Sequence, residues 1–245
     1  MNPLKTKLEA FTRLSEADRS AIDRAVGRNV RTFAARRDMA REGERPRAVY
    51  VMLEGWACRY KTLPDGRRQI VAFFVPGDLC DLNIFILKEM DHNVGAITAV
   101  RAAELGRHEV ERMTEEHPRI TRALWWNELV TVAVQRDWTL NVGQRSAYER
   151  ISHLVCEMFL RLRTVGLTQG DSCDFPITQT DIGDATGLTS VHVNRTLKEL
   201  RGDGLIELKG RRLTILDFAG LRRAAMFNDN YLHLDHEGRH LDANG

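Results

Sequence analysis

The sequence has few cysteines, and they form no pattern. Cys58, Cys80, Cys156 and Cys173 are scattered without a C-x-x-C pair, so their spacing predicts neither a disulfide framework nor a metal site. No apolar run approaches the roughly 18 to 20 residues that a membrane-spanning helix needs. The charged N-terminus also lacks the apolar segment of a secretory signal. These absences predict a cytoplasmic protein with reduced thiols and no membrane partner.

An excess of charge of one sign is also lacking. The chain has 36 Lys and Arg against 34 Asp and Glu, a net charge of +2, which does not by itself indicate a nucleic-acid partner. The distribution is less even, because six basic and three acidic residues lie between Thr189 and Arg212. With 43% hydrophobic and 29% charged residues, the 245-residue chain has a globular composition and predicts one large or two modest domains.

The first part of the chain predicts a short helix followed by a β unit. Ser15 can cap a helix over Glu16 to Val26, and Asp18 completes a capping box. From about Val30 to Arg107, short apolar runs alternate with turn residues, and Pro64-Asp65-Gly66 is typical of a hairpin turn. The predicted strands are Ala48 to Leu53, Trp56 to Leu63, Gln69 to Val75 and Ala96 to Leu105. Runs this short and regular predict a small antiparallel roll or barrel.

A long helix is predicted next. The run Arg119 to Leu140 follows Pro118 and contains no glycine or further proline, which predicts a rod of about 33 Å. Its apolar residues occupy more than one face of the helix. Packing against the predicted β roll would cover only one of these faces and leave the other apolar residues exposed. We therefore predict a homodimer with Val130 and Val134 at the interface, the alternative being a buried central helix of a monomer.

Two more helices are predicted after a hinge. The hinge is placed at Asn141 to Gly143, where glycine interrupts the helical pattern. Ser146 can cap a helix from Ala147 to about Val165. Thr178 to Asp181 has capping-box form and opens a short helix, Gln179 to Thr186, which Gly187 is expected to end in the left-handed conformation.

The following segment predicts a helix-turn-helix. Thr189 can cap a second helix at once, and the i, i+4, i+7 spacing of Val193, Leu197 and Leu200 turns these side chains to one face. Basic and polar residues occupy the opposite face, as in a recognition helix. Two short apolar runs joined by Lys209-Gly210-Arg211 predict a β hairpin that forms a wing.

The polar side chains of this segment suit DNA chemistry. The guanidinium of Arg195 can bind guanine O6 and N7 together, whereas Val191 can contact only a thymine methyl. Hydroxyl, amide and N–H groups at helix N-termini, and the wing arginines, can bind phosphates. The predicted DNA-binding residues are Thr178, Gln179, Thr189, Ser190, Val191, His192, Asn194, Arg195, Lys198, Arg211 and Arg212. No clustered catalytic set is found, so we predict no enzymatic activity and no metal site.

These motifs resemble the Crp/Fnr family of bacterial transcription regulators. The matching segments are YVMLEG from Tyr50, PGD from Pro76, and ITQTDIGDATGLTSVHVNRTLKELRGDGLIELKGRRLTI near the C-terminus. The resemblance implies an α+β fold with an antiparallel β roll, like a cyclic-nucleotide-binding domain, a long dimerisation helix and a C-terminal winged helix-turn-helix. It implies a homodimer on a palindromic operator in double-stranded DNA, and a contact with RNA polymerase. The expected parts are residues 1–117 (roll), 118–142 (helix), 143–218 (winged helix-turn-helix) and 219–245 (tail).

The sequence departs from some members of the family in the residues that would hold a ligand. Members that bind cyclic AMP carry a glutamate after the Pro-Gly-Asp turn, where this chain has Leu82, and an Arg-Ser or Arg-Thr pair further on. The segment from Asp91 to Gly95 has no arginine to bind the phosphate. No cysteine precedes Cys58, so we expect neither cyclic AMP nor an iron–sulfur cluster.

Two functions remain open on the sequence alone. The first is a DNA-binding regulator gated by an effector other than cyclic AMP, with the effector-binding residues unassigned. The second is a small-molecule-binding or scaffold protein of the same fold whose helix-turn-helix does not engage DNA. Many members of the family carry a glutamate where this chain has Val191, so the first function implies a half-site that differs from the best-known operators at that base.

Overall fold

The computed structural model describes residues 2–82 and 84–234. The chain forms two compact units. Of the described residues, the N-terminal unit contains 2–60, 73–82, 84–132 and 232–234, and the C-terminal unit contains Lys61–Ala72 and Ala133–Tyr231. The tip of one hairpin of the roll, Lys61–Ala72, therefore belongs to the C-terminal unit.

Two helices precede the roll, α1 (Pro3–Glu9) and α2 (Glu16–Arg28). The hydroxyl oxygen of Ser15 accepts a hydrogen bond from the Asp18 amide at 3.2 Å, and the Asp18 carboxylate accepts one from the Ser15 amide at 2.8 Å. This confirms the predicted capping box. Helix α1 was not predicted, because seven residues are too few to show a helical period.

Two four-stranded antiparallel sheets form the roll, in the orders β1-β8-β3-β6 and β2-β7-β4-β5. Buried side chains from strands of both sheets, among them Phe33, Met52, Phe74 and Val94, form one core cluster. The predicted antiparallel roll is confirmed. Its strands are β1 (Val30–Phe33), β2 (Asp38–Ala40), β3 (Val49–Glu54), β4 (Ala57–Thr62), β5 (Arg68–Phe74), β6 (Leu79–Cys80), β7 (Asn93–Ala96) and β8 (Val100–Leu105).

The prediction of one strand over Ala96 to Leu105 is wrong. The chain leaves one sheet at the end of β7 and joins the other at the start of β8. Between them the amides of Ile97 and Thr98 donate to the carbonyl of Trp56, at 2.8 and 3.2 Å. Ile97, which lies between the two strands, is itself buried. The apolar pattern of the sequence therefore continues across the break between β7 and β8 and gives no sign of it.

Helix α3 (Arg107–Glu116) leads into the long helix α4 (Pro118–Gln144), whose 27 residues span about 40 Å. The predicted hinge at Asn141 to Gly143 is wrong, because this segment remains helical. A glycine inside a helix destabilises it by only about 1 kcal/mol. The helix ends where Ser146 begins the next one through a capping box with Glu149.

Some apolar residues of α4 are buried within the chain and others are exposed, and the sequence did not predict correctly which are which. Val134 is 9% exposed, and Val130 packs against the N-terminal core. The prediction of a place at the dimer interface is therefore wrong for Val134, whereas for Val130, which is half-buried, it stays a prediction. Exposed instead are Trp125 (66%), Leu129 (66%) and Val132 (50%).

The C-terminal unit is built around the buried helix α5 (Ala147–Thr164), against which α6, α7 and α8 pack. Two hairpins form its sheet in the order β11-β12-β10-β9. The part of the chain that the structure describes has no helix long and apolar enough to cross a membrane. The remaining elements are β9 (Thr168–Gln169), β10 (Ser172–Asp174), α6 (Gln179–Thr186), α7 (Ser190–Gly202), β11 (Ile206–Lys209), β12 (Arg212–Ile215) and α8 (Phe218–Ala224).

Candidate nucleic-acid interface

Helix α6 begins and ends as its sequence predicts. The Thr178 hydroxyl oxygen accepts from the Asp181 amide at 3.1 Å, and Asp181 Oδ2 accepts from the Thr178 amide at 2.9 Å and its hydroxyl at 2.8 Å. At the other end Gly187 adopts φ 70° and ψ 30°, the left-handed conformation that glycine accepts most easily.

The turn between α6 and α7 requires a second glycine. The Leu188 amide donates to the Gly183 carbonyl at 3.1 Å. A Cβ atom at position 183 would collide with the backbone carbonyl oxygen of Leu188. Close packing of the two helices therefore depends on Gly183, whose role the sequence did not indicate.

Helix α7 has the two faces that the sequence predicted. Val193, Leu197 and Leu200 are buried. On the opposite side Val191 is 81% exposed, and Arg195 and Lys198 are exposed as well. The Thr189 hydroxyl oxygen caps the helix by accepting from the His192 amide at 3.3 Å. The exposed side is therefore polar and basic, with one apolar side chain near its start.

The polar side chains of α6 and α7 are linked to one another. Asn194 Nδ2 donates to Gln179 Oε1 at 3.2 Å, which joins the recognition helix to the first turn of α6. The Arg195 guanidinium lies within hydrogen-bond distance of the His192 ring. These four predicted residues thus form two hydrogen-bonded pairs on the exposed side, where Thr178, Thr189 and Ser190 are also exposed. We call this set the recognition surface.

The predicted wing is present, and its arginines differ from each other. Strands β11 and β12 pair in register from Ile206↔Ile215 to Lys209↔Arg212. Arg212 donates to Gln169 Oε1 at 2.8 Å and lies 3.9 Å from an Asp174 carboxylate oxygen. The side chain of Arg211 is exposed, while its carbonyl accepts from the Phe175 amide at 2.7 Å. Arg212 is therefore oriented by the neighbouring β9-β10 hairpin.

Two residues that the sequence did not indicate contact the helix-turn-helix. Arg68, at the start of β5, forms ion pairs with Asp181 at 2.9 Å and Asp184 at 2.8 Å, both on α6. Its neighbour Gln69 donates to the Ala185 carbonyl at 3.3 Å. No local pattern could have indicated these contacts, because the paired residues are more than 100 positions apart.

The N-terminal unit contains a cavity of about 390 Å³ between the roll and α4. Leu82, Ile84 and Leu87 form an apolar part of its wall. Leu82 lies where cyclic-AMP-binding members of the Crp/Fnr family carry glutamate. The charged part of the wall consists of Arg59, Asp81, Asp91, His92 and Glu128.

The charged groups of the cavity are largely paired with one another. Arg59 forms an ion pair with Asp81 Oδ1, and His92 Nε2 lies 2.9 Å from Asp81 Oδ2. Burial alone would raise the pKa of Asp81, but His92 and Arg59 outweigh it and hold this pKa below its ordinary value. Burial alone would lower the pKa of His92, but Asp81 and Asp91 raise it. Burial raises the pKa of Glu128.

One arginine does line the cavity, although the sequence indicated none. Segment Asp91 to Gly95 lacks arginine as noted, yet Arg59 brings a guanidinium to the cavity from β4. This guanidinium is already bound to Asp81 and lies 5.2 Å from the Phe74 ring centroid. The four cysteines are all buried, and burial raises the pKa of the Cys80 thiol. Within the described residues no group of His, Cys, Asp and Glu is arranged to hold a metal ion.

Comparisons with known proteins match both units. A model of the Crp-like helix-turn-helix domain matches residues 149–224, and one of the cyclic nucleotide-binding domain matches residues 30–117. The nitrogen fixation regulation protein FixK of Bradyrhizobium diazoefficiens is 32% identical over 205 residues, which cover 82% of this chain and 83% of FixK. The transcriptional activatory protein AadR of Rhodopseudomonas palustris is 31% identical over 207 residues, which cover 83% of each chain.

A solved structure agrees with these matches. FixK2 from Bradyrhizobium japonicum superposes with a TM-score of 0.72 and 27% identity, covering 80% of this chain and 96% of FixK2. The relatives are transcription regulators and not enzymes. Because both units match these models and FixK is 32% identical over 82% of the chain, the chain belongs to the Crp/Fnr family of DNA-binding transcription regulators.

Proposed function

We propose that this regulator binds a palindromic operator as a homodimer, with α7 in the major groove of double-stranded DNA. The observation that carries the proposal is the recognition surface, in which two hydrogen-bonded pairs, Gln179 with Asn194 and His192 with Arg195, hold polar groups on the exposed side of α7. Hydrogen-bond donors and acceptors held in fixed positions on an exposed helix are what base reading requires.

The recognition surface assigns different tasks to different residues. Arg195 binds a guanine through its two-pronged guanidinium, His192 and Asn194 contact base edges, and Val191 contacts a thymine methyl. The N-termini of α6 and α7 bind phosphates through Thr178, Gln179, Thr189 and Ser190. Cationic side chains outside the groove, Lys198, Arg211 and Arg212, add phosphate contacts.

The dimer forms along α4. Its exposed apolar residues Trp125, Leu129 and Val132 are spaced by four and three residues, as in a coiled-coil seam. The same spacing continues through Arg136 and Thr139, which are also exposed. When two copies of the chain pack along α4 about a two-fold axis, the exposed apolar residues of each copy are covered by those of the other. The two copies also present two α7 helices, which fit half-sites about one DNA turn, or 34 Å, apart.

An effector other than cyclic AMP occupies the cavity of the N-terminal unit. Its volume of about 390 Å³ suits a small molecule. A cyclic phosphate would find Arg59 already paired with Asp81, Leu82 in place of a glutamate, and the carboxylates of Asp91 and Glu128 nearby. An anion is disfavoured among these groups. A calorimetric titration with cyclic AMP should show no binding, and micromolar affinity would overturn this part of the proposal.

Contact with RNA polymerase completes the proposal. AadR is named a transcriptional activatory protein, and activation requires that a DNA-bound regulator recruit or assist the polymerase. The likeness over 83% of both chains supports the same partner here.

The deciding experiment measures binding to the DNA upstream of the protein's own gene, by fluorescence anisotropy and footprinting. The wild-type chain should protect two half-sites. Arg195→Ala should weaken operator binding by about 1 to 3 kcal/mol and relax the preference at one guanine. Arg201→Ala is the matched control, because Arg201 lies in the last turn of the same helix.

Two outcomes would contradict the proposal. If Arg195→Ala binds as Arg201→Ala does, then α7 does not read the bases through Arg195. If the wild-type chain prefers neither this DNA nor any selected sequence over random DNA, the alternative of a small-molecule-binding or scaffold protein of the same fold holds.

A further inference from the structure

The β4-β5 hairpin contacts the first helix of the helix-turn-helix through polar groups. Arg68 Nε donates to Asp184 Oδ2 at 2.8 Å, and Arg68 Nη2 donates to Asp181 Oδ1 at 2.9 Å. Gln69 Nε2 donates to the Ala185 carbonyl at 3.3 Å. The hairpin residues and α6 belong to the same compact unit. One guanidinium therefore holds two carboxylates that lie one helical turn apart.

The carboxylate of Asp181 makes this contact significant. It is 1% exposed, and its Oδ2 atom accepts the hydrogen bonds from Thr178 that cap α6. Its other oxygen accepts from Arg68. Removing the cationic partner of a buried carboxylate strongly destabilises the folded structure around it. The first turn of α6 therefore depends on the charge of Arg68.

Helix α6 in turn positions the groups of the recognition surface. Gln179, next to the cap, accepts from Asn194 on α7 at 3.2 Å. The Gly183 carbonyl accepts from the Leu188 amide at the turn between the helices. A displacement of α6 would therefore move the N-terminus that binds phosphate, and would break the hydrogen bond that holds Asn194.

We propose that Arg68 is a positioning residue for operator binding, which acts through Asp181 and Asp184 and does not itself contact DNA. This inference rests on the proposed function, because it assumes that α7 binds an operator. It assigns a role in DNA recognition to a residue outside the helix-turn-helix and its wing.

Arg68→Gln and Arg67→Gln form a matched pair of variants. Both remove one positive charge from the same hairpin, but Arg67 is exposed and pairs only with Asp65 of the turn among the contacts the structure describes, at 2.8 Å. Operator affinity should fall about tenfold in Arg68→Gln, the size of coupling expected between charged neighbours, and by less than about twofold in Arg67→Gln. Arg68→Lys should recover part of the loss.

The dependence on salt separates positioning from direct contact. A lost phosphate contact lowers the slope of log affinity against log salt by about one. Arg68→Gln should leave this slope unchanged. A double-mutant cycle with Asp184→Asn should also be non-additive, because the two side chains are in contact.

Three results would overturn the inference: equal affinities of Arg68→Gln and Arg67→Gln, a salt slope lowered by one in Arg68→Gln, or additive effects of Arg68→Gln and Asp184→Asn. Hydrogen exchange of the α6 amides provides a readout that needs no DNA, and faster exchange is expected in Arg68→Gln alone. If the wild-type chain binds no operator, the proposed function fails, and the exchange comparison still decides whether Arg68 holds α6.

Discussion

Replacing Leu129 by glutamate is expected to dissociate the proposed dimer. Full burial of a leucine side chain is worth about 1.5 to 3 kcal/mol. Since Leu129 is 66% exposed in the single chain, association can gain about 1 to 2 kcal/mol from it in each subunit. Two-fold symmetry doubles this to about 2 to 4 kcal/mol, which raises the dissociation constant by about 30- to 1,000-fold. Repulsion between the two glutamates acts in the same direction.

Sedimentation equilibrium over a range of concentrations measures this dissociation constant. Leu63→Glu is the matched control, because Leu63 is an exposed leucine of the β4-β5 turn and not of α4. Val134→Glu should behave differently, since Val134 is buried and a charge there lowers the melting temperature. A dissociation constant for Leu129→Glu within about threefold of that for Leu63→Glu, less than 1 kcal/mol apart, would refute the proposed seam.

Three further predictions concern the wing, the cap of α6 and the cavity. Arg212→Ala should weaken binding to operator and unrelated DNA alike and lower the salt slope by about one, as isotherms at several salt concentrations can test. Thr178→Ala should lower the free energy of unfolding by about 1 kcal/mol in urea titrations, whereas the exposed Thr180→Ala should leave it nearly unchanged. The raised pKa of His92 means that its charge stabilises the fold below its ordinary value of 6.5 and that this stabilisation is lost as the pH rises through the raised pKa. His92→Gln should therefore lower the melting temperature more at a pH of about 5.5 than at about 8.5, and an equal or opposite effect would contradict the assigned charge.

Local signals in the sequence were sufficient for the helix-turn-helix. A helix cap, a glycine in the left-handed conformation and an i, i+4, i+7 pattern of apolar residues each depend only on residues within one or two helical turns of one another. Thr178, Gly187 and the triplet Val193, Leu197 and Leu200 therefore have the predicted conformation and burial. The wing followed for the same reason, because a hairpin is a local structure.

Sequence patterns gave wrong predictions where the same residue is compatible with two different local structures. Gly143 can end a helix or lie inside one, and here it lies inside α4, where its neighbour Asn141 donates to the Arg150 carbonyl of α5 at 3.4 Å. Ile97 continues an apolar pattern although the chain changes sheets beside it. In both cases a contact with another element accompanies the observed structure, with Arg150 for the end of α4 and with Trp56 for the crossing.

The sequence by itself determined the succession of roll, long helix and winged helix-turn-helix, the N-terminal caps of α2, α5, α6 and α7, and the face of α7 that carries Arg195. Only the tertiary structure decided which apolar residues of α4 are covered, leaving Leu129 exposed and Val134 buried. It also decided that Arg68 pairs with Asp181 and that Arg59 pairs with Asp81. The physical reason is that capping and periodicity are short-range properties of the chain, whereas burial and ion pairing depend on which distant segments the fold brings together.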